Sequence, residues 1–254
     1  MLWFFNTILY EPLLNALIFL YGYFSFHDLG VAIILLTILI RLILFPLFHK
    51  GSKDQAIIQR LAPKIKEIQH THKHDKEKQA KALMDLYKEH KINPFSGFLL
   101  LLVQLPILFA LYKVFLQGLS MDSLGVLYTF VPYPASLGHY FLGIIDLTKR
   151  NIVIALLAAA GQYVQGKLAV VPNETVRTEK NKSEISPMET MQRQMVYLGP
   201  ALTFLFLYFF NLPAAIGLYW LTTVAFSIIQ QIVINKSVAR YFEENRLREL
   251  APKE

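Results

Sequence analysis

Four long apolar runs divide the chain, at 29–48, 95–117, 152–169 and 195–234. A helix crossing lipid needs about 20 mostly apolar residues, since it satisfies its own backbone hydrogen bonds where no water can. The last run is roughly twice that length. It is interrupted at Asn211, Leu212 and Pro213, where proline turns its predecessor out of helix and asparagine favours a turn. The pattern predicts an all-α integral membrane protein with five transmembrane helices. A further stretch, 2–24, is long enough to span but holds Asn6, Glu11, Pro12 and Asn15. Thr7, Glu11, Asn15 and Gly22 fall on one helical stripe opposite Leu9, Leu13, Leu17 and Leu20, which suits an amphipathic helix lying in the outer interface. A cleaved signal peptide fits less well, because no basic segment precedes the apolar stretch.

The polar segment between the first two runs keeps a helical period. Ile57, Leu61, Ile65 and Ile68 recur at three and four residues, and Ala80, Leu83, Met84 and Tyr87 do so again after a polar break at 70–75. This predicts a hairpin of two amphipathic helices. The expected organisation is an N-terminal amphipathic helix (1–28), a first transmembrane helix (29–49), a helical hairpin (50–92), transmembrane helices two to five (93–236) and a tail (237–254). Residues 173–187 are polar and read as a loop. Residues 118–150 mix aromatics, glycine and proline and are expected to pack at the outer interface.

Lysine and arginine orient these elements. Residues 50–91 carry eleven, 167–193 five, and the chain from 236 onward five, whereas residues before 29 and the turn at Asn211 carry none and 118–150 only Lys149 and Arg150. Positive residues mark cytoplasmic loops, which places the hairpin and the C-terminus in the cytoplasm. The net charge of +7 therefore points to anionic membrane lipid, not to sequence-specific nucleic acid. There is no cysteine, which excludes disulfides, thiolate metal sites and a cysteine nucleophile. His70, His72 and His74 alternate by two, which separates them on a helix, so neither a metal nor another cofactor is expected.

Away from their cytoplasmic ends the five spans contain no carboxylate and two cations, Arg41 and Lys113. Lys113 is near the outer end of its helix, within reach of water by snorkelling. Arg41 is eight residues from His49, about 12 Å along a helix, and arginine at a span's centre costs about 2.5 to 3.5 kcal/mol on insertion scales. A bare lipid-facing arginine is thus disfavoured, and a wet cavity is implied. Thr37 lies one turn from Arg41. Gln162 and Gln165 share a face of the third span, Trp220, Thr223, Ser227 and Gln231 share a face of the fifth, and Gln104 adds a group from the second. Each alone reads as an interhelical hydrogen bond; their convergence on one arginine predicts a positively charged groove.

Several ordered motifs resemble the YidC/Oxa/Alb family of membrane protein insertases from the first residues to about Lys236. They are Ile40-Arg41-Leu42 through Pro46, Leu61-Ala62-Pro63-Lys64-Ile65, Leu86-Tyr87-Lys88, Asn93-Pro94 with Gly97, Gln104-Leu105-Pro106-Ile107 and Ala110-Leu111-Tyr112. Pro187-Met188, Gly217-Leu218-Tyr219-Trp220 and Gln230-Gln231 follow. The resemblance implies a bacterial inner-membrane protein whose groove opens to cytoplasm and lipid, with Arg41 as the groove arginine and Gln165 and Trp220 at matching positions. It implies nascent membrane proteins as substrates, sliding along the third and fifth spans. It also implies work with the ribosome, the signal recognition particle receptor and the Sec translocon, without nucleotide hydrolysis or other enzymatic chemistry. Unlike larger bacterial members, the chain is expected to be a short form, with no large periplasmic domain and no extra N-terminal span. Four acidic residues after Lys236 disfavour a strong ribosome contact through the tail. A small transporter would use the same arginine as an anion site, but no inverted repeat or broken helix is legible. A membrane-embedded enzyme would need a serine, histidine or carboxylate at membrane depth, and all seven histidines lie outside the spans or at their ends.

Overall fold

The computed structural model describes residues 2–117, 121–170 and 187–250. The N-terminal stretch is one helical rod: α1 (Leu2–Phe5), a π-turn (Asn6–Tyr10) and α2 (Glu11–Tyr23). Pro12 has no N–H to offer the carbonyl of Ile8, and the helix widens into its π-turn immediately before it. The rod's most buried face is Tyr10, Leu14, Leu17, Ile18 and Tyr21. The polar stripe expected to meet water does not do so throughout. Asn15 is buried, donating to the carbonyls of Glu11 and Val126 and accepting from the Tyr128 N–H, and Gly22 faces Pro132. The loop that follows the second span covers that face, which periodicity within the helix could not reveal.

Five further apolar helices form the bundle. The first is α3 (Leu29–Ile43), N-capped by Asp28, whose Oδ1 accepts from the Val31 N–H at 2.9 Å. The 29–48 run is not straight, because Pro46 cannot continue the hydrogen-bond ladder and the chain bends by 68° into α4 (Phe45–Arg60). A broken helix is therefore present, contrary to the sequence reading. It breaks at the end of the apolar run, and the polar residues from Lys50 onward carry α4 out of it. Next come α7 (Ser96–Gln117), α8 (Ile152–Ala169), α9 (Pro187–Phe204, ending in a π-turn at Leu205–Phe209) and α10 (Ala214–Leu250). Three of these, α7, α8 and α10, are each long and apolar enough to cross a membrane, and the bent α3–α4 pair makes a fourth. The apolar part of α9, Gln194–Phe209, is shorter. Asn211 takes a left-handed backbone (φ 57°) at the turn between α9 and α10.

The packing is uneven along the bundle. The main core joins the first halves of α3, α8 and α10 to the last third of α7 and to α2, through Leu29, Ile33, Leu111, Val114, Ala155 and Ala215 among others. Close approach there needs glycine: a Cβ on Gly217 would lie 2.7 Å from Ile154, and one on Gly161 2.9 Å from Val224. The buried start of α10 satisfies its free N–H groups on the loop before α8, Ala214 donating to Lys149 O and Ala215 to Leu147 O. That loop also holds a two-residue hairpin, β1 (Tyr140–Phe141) and β2 (Ile145–Asp146), tied to α3 by the Leu142 N–H on Asp28 Oδ2. Lys113 reaches the N-terminal rod. Its Nζ donates to Asn6 Oδ1 at 2.8 Å and stands 4.3 Å from the Tyr10 ring centroid.

The hairpin consists of α5 (Ala62–Thr71) and α6 (Lys76–Glu89), continuing from α4 after a kink at Leu61 before Pro63. It has its own core of Ala56, Ile57, Leu61, Ile65, Leu86 and Ile92, and Ile234 and Val238 of α10 complete it. The 37-residue α10 passes through 236 as one helix, and its Tyr241 and Phe242 pack against His90 and Arg60.

Two outcomes check these packing statements. Asn15→Ala strips the Val126 carbonyl and Tyr128 N–H of their partner and should cost about 1 to 3 kcal/mol, seen as a lower melting temperature in detergent. Val238→Asp, which puts a charge into the hairpin core, should accelerate amide exchange across 57–89 while leaving exchange in α3 unchanged; unaltered exchange in the hairpin would mean that it stands without α10.

Candidate functional site

Because the bundle closes tightly at one end, its polar residues gather at the other, nearer the hairpin. Arg41 is on the last turn of α3, buried, with its guanidinium carbon 4.7 Å from the Phe48 ring centroid. The bend at Leu44 swings α4 back beneath it. The result is a cavity of about 210 Å³ lined by Arg41, Phe48, Ser52, Gln55, Leu100, Gln165, Ser227, Gln230 and Gln231. Contact between α4 and α7 is close at its edge, since a Cβ on Gly51 would lie 2.9 Å from Leu100.

The lining is polar and, among the described residues, contains no carboxylate. None of the described residues forms an ion pair with Arg41. The nearest carboxylate in sequence on α4, Asp54, is turned away, accepting from the Ser96 hydroxyl at 2.6 Å and the Asn93 N–H at 3.3 Å. Ser227 spends its hydroxyl proton on the Thr223 carbonyl, and Gln231 bonds Asn235, which in turn donates to Leu168 O. Gln230 is buried, and its Nε2 has no partner among the described residues. A permanently charged guanidinium thus lines one small space together with the side chains of Gln55, Gln165, Ser227 and Gln231, a combination that takes water or an acceptor-bearing chain.

Of the residues singled out in the sequence, the structure brings Arg41, Gln165, Ser227 and Gln231 to this cavity. Four others are engaged elsewhere. Thr37 is buried with its hydroxyl on the Ile33 carbonyl, Gln104 donates to the Tyr219 hydroxyl at 2.6 Å, Gln162 packs on Gly199 of α9, and Trp220 packs against the main core. Thr223 contributes its backbone carbonyl to Ser227 and is absent from the lining. Phe48, Ser52 and Gln55 were not anticipated because a straight first span would carry them away from Arg41; Pro46 was the available signal. Gln230 lies three residues from Ser227 and fits the same period as Gln231.

The described residues contain no group of three or more histidine, cysteine, aspartate or glutamate side chains able to hold a metal ion.

An all-α membrane protein with a bent first span, a helical hairpin and a buried arginine that no described carboxylate pairs defines a narrow class. A family model described as "60Kd inner membrane protein" matches residues 19–241, and the chain belongs to that family. It is 34% identical over 239 residues to the membrane protein insertase YidC of Geobacter metallireducens, covering 93% of this chain and 38% of the relative. The membrane protein insertase YidC of Geotalea uraniireducens is likewise 34% identical over 238 residues, covering 93% of this chain and 38% of the relative. That of Pelobacter propionicus is 34% identical over 237 residues, covering 93% and 40%. The chain therefore spans well under half the length of these relatives.

With no native cysteine, the cavity can be mapped by single introduced thiols. Gln165→Cys should react with a hydrophilic maleimide much faster than Gln162→Cys, although both sit on one helix three residues apart. Equal protection of the two positions would show that the cavity is closed to water.

Proposed function

We propose that this chain is a membrane protein insertase: it helps the polar flank of a nascent membrane protein across lipid by offering it the Arg41 cavity part-way through the bilayer. The observation that carries the reading is the arginine itself, buried, unpaired by any described carboxylate and faced by amides and hydroxyls on three helices. The relatives, membrane protein insertases by name, agree with it. The distribution of lysine and arginine supports a cytoplasmic hairpin and C-terminus, with the cavity opening toward the cytoplasm in a bacterial inner membrane.

In this reading the cavity acts on the barrier. A polar segment entering it exchanges water for hydrogen bonds to Gln55, Gln165, Gln230 and Gln231, and the lipid layer left to cross is thinner. An acidic side chain near Arg41 gains most, about 4 kcal/mol at 4 Å and an effective dielectric constant of about 20. The apolar span of the substrate follows into lipid along α8 and α10, driven by about 25 cal/mol per Å² buried. No covalent step is assigned. Partners in this reading are nascent membrane proteins, the ribosome, the signal recognition particle receptor and the Sec translocon. The tightly packed end of the bundle keeps the outer side sealed, and the α1–α2 rod lies in the outer interface, where its polar residues meet the outer loop and the end of α7.

Arg41→Ala should slow insertion of translocon-independent substrates with acidic translocated tails by about tenfold or more, equivalent to about 1.4 kcal/mol per tenfold. Arg41→Lys should retain much of the activity, and strongly apolar substrates should be little affected by either. Pulse-labelled insertion into vesicles measures this, and full activity of the alanine variant on acidic-tailed substrates would remove the charge from the mechanism. For the rod, Asn6→Cys should react with an impermeant thiol reagent from the outer face of intact cells; labelling only from the cytoplasmic face would place the segment across the membrane.

A further inference from the structure

A second cavity, of about 410 Å³, lies where α4, the turn from α6 to α7 and the far end of α10 meet. Its floor is apolar, with Ile57 and Ile92 both buried. Its walls carry Lys50 and Lys53 from α4, Lys91 from the turn, and Tyr241 and Asn245 from α10. Among the described residues none of the three ammonium groups is in an ion pair. Asp54 and Glu89 also line the space, but Asp54 already accepts from Ser96 and Asn93. Three cations therefore face two carboxylates, an excess of one positive charge, and Tyr241 and Asn245 add polar groups able to donate hydrogen bonds.

Lys91 reaches this place at a cost. It stands after α6 with a left-handed backbone (φ 53°), and Ile92 closes the helix end on the Tyr87 carbonyl at 3.0 Å. That position is ordinarily glycine's, because a Cβ there is strained. A lysine in it gives up the easy conformation and puts an ammonium at the cavity. The lining residue Ile92 shortly precedes the apolar helix α7, which starts at Ser96, and Phe95 and Phe98 at that start are 67% and 62% exposed, open to acyl chains.

We propose that this cavity binds the phosphate of an anionic phospholipid headgroup, joining the hairpin to α10 at the membrane surface. A concave pocket with three cations beside exposed phenylalanines fits one phosphate attached to acyl chains, whereas nucleic acid calls for an extended basic track. The site is separate from the Arg41 cavity and does not depend on the insertase reading.

The test uses the purified full chain in nanodiscs of phosphatidylcholine with or without phosphatidylglycerol, read by native mass spectrometry for retained lipid and by melting temperature. Phosphatidylglycerol should be retained one per chain and raise the melting temperature. Lys50→Ala/Lys53→Ala/Lys91→Ala should weaken retention by about tenfold or more, while Lys73→Ala/Lys76→Ala/Lys81→Ala, which removes the same charge from the exposed hairpin, should not. Asn245→Trp, which fills the cavity without changing charge, should reproduce the loss and covers the case in which the triple variant folds poorly. Equal loss in both triple variants, or in neither, overturns the proposal. So does stabilisation by inorganic phosphate alone that matches the lipid's, which would assign the site to a free anion, or tighter binding of a structured RNA through the same three lysines, which would assign it to nucleic acid.

Discussion

A guanidinium cannot shed its proton, so Arg41 brings a permanent charge into a helix that is otherwise apolar apart from Thr37. Such a charge needs a carboxylate, water or a lipid surface within reach, and no described carboxylate pairs with it. The rest of the bundle is arranged around that requirement. At one end glycines let α8 and α10 close on each other and leucine and isoleucine side chains fill the core. At the other end amides, hydroxyls and the bend before Pro46 hold a small polar space open around the cation. A uniformly packed bundle would have to bury the arginine dry, and a uniformly splayed one would leak.

The hairpin is linked to this arrangement more firmly than its polar sequence suggests. Its core is incomplete until Ile234 and Val238 of α10 are added, and α10 is the helix that also supplies Ser227, Gln230 and Gln231 to the cavity. At its base, Asp54 ties α4 to the start of α7. Motion of the hairpin relative to the bundle is thereby coupled to two cavity-lining helices, α4 and α10, since rigid elements transmit displacements that loops absorb. On the proposed reading, a partner that docks on the hairpin acts on the groove through these helices.

The opposite end is fixed by polar contacts of high sequence separation. Asn15 joins α2 to residues 126 and 128, Tyr21 receives the Gly138 N–H, and Lys113 holds Asn6. Asp28 serves two elements, capping α3 with one oxygen and holding the Leu142 N–H with the other. These bonds explain why asparagine and lysine are tolerated where apolar residues would otherwise be expected: each buried polar group meets a specific partner.

The sequence by itself determined the fold class, the sites of the apolar helices, the turn at Asn211 and the hairpin, because these depend on local periodicity, run length and proline or asparagine chemistry. It also pointed to Arg41, since a charge inside an apolar run is anomalous whatever surrounds it. Which polar residues meet Arg41 was decided by tertiary structure. Gln162 and Gln165 carry the same side chain three residues apart, yet one packs on Gly199 and the other lines the cavity. Ser52 and Gln55 reach the site through a 68° bend whose direction is set by packing against α7 and α10. The burial of Asn15 and the pairing of Lys113 were equally out of reach, because their partners are more than a hundred residues away and periodicity within one helix holds no information about what covers it.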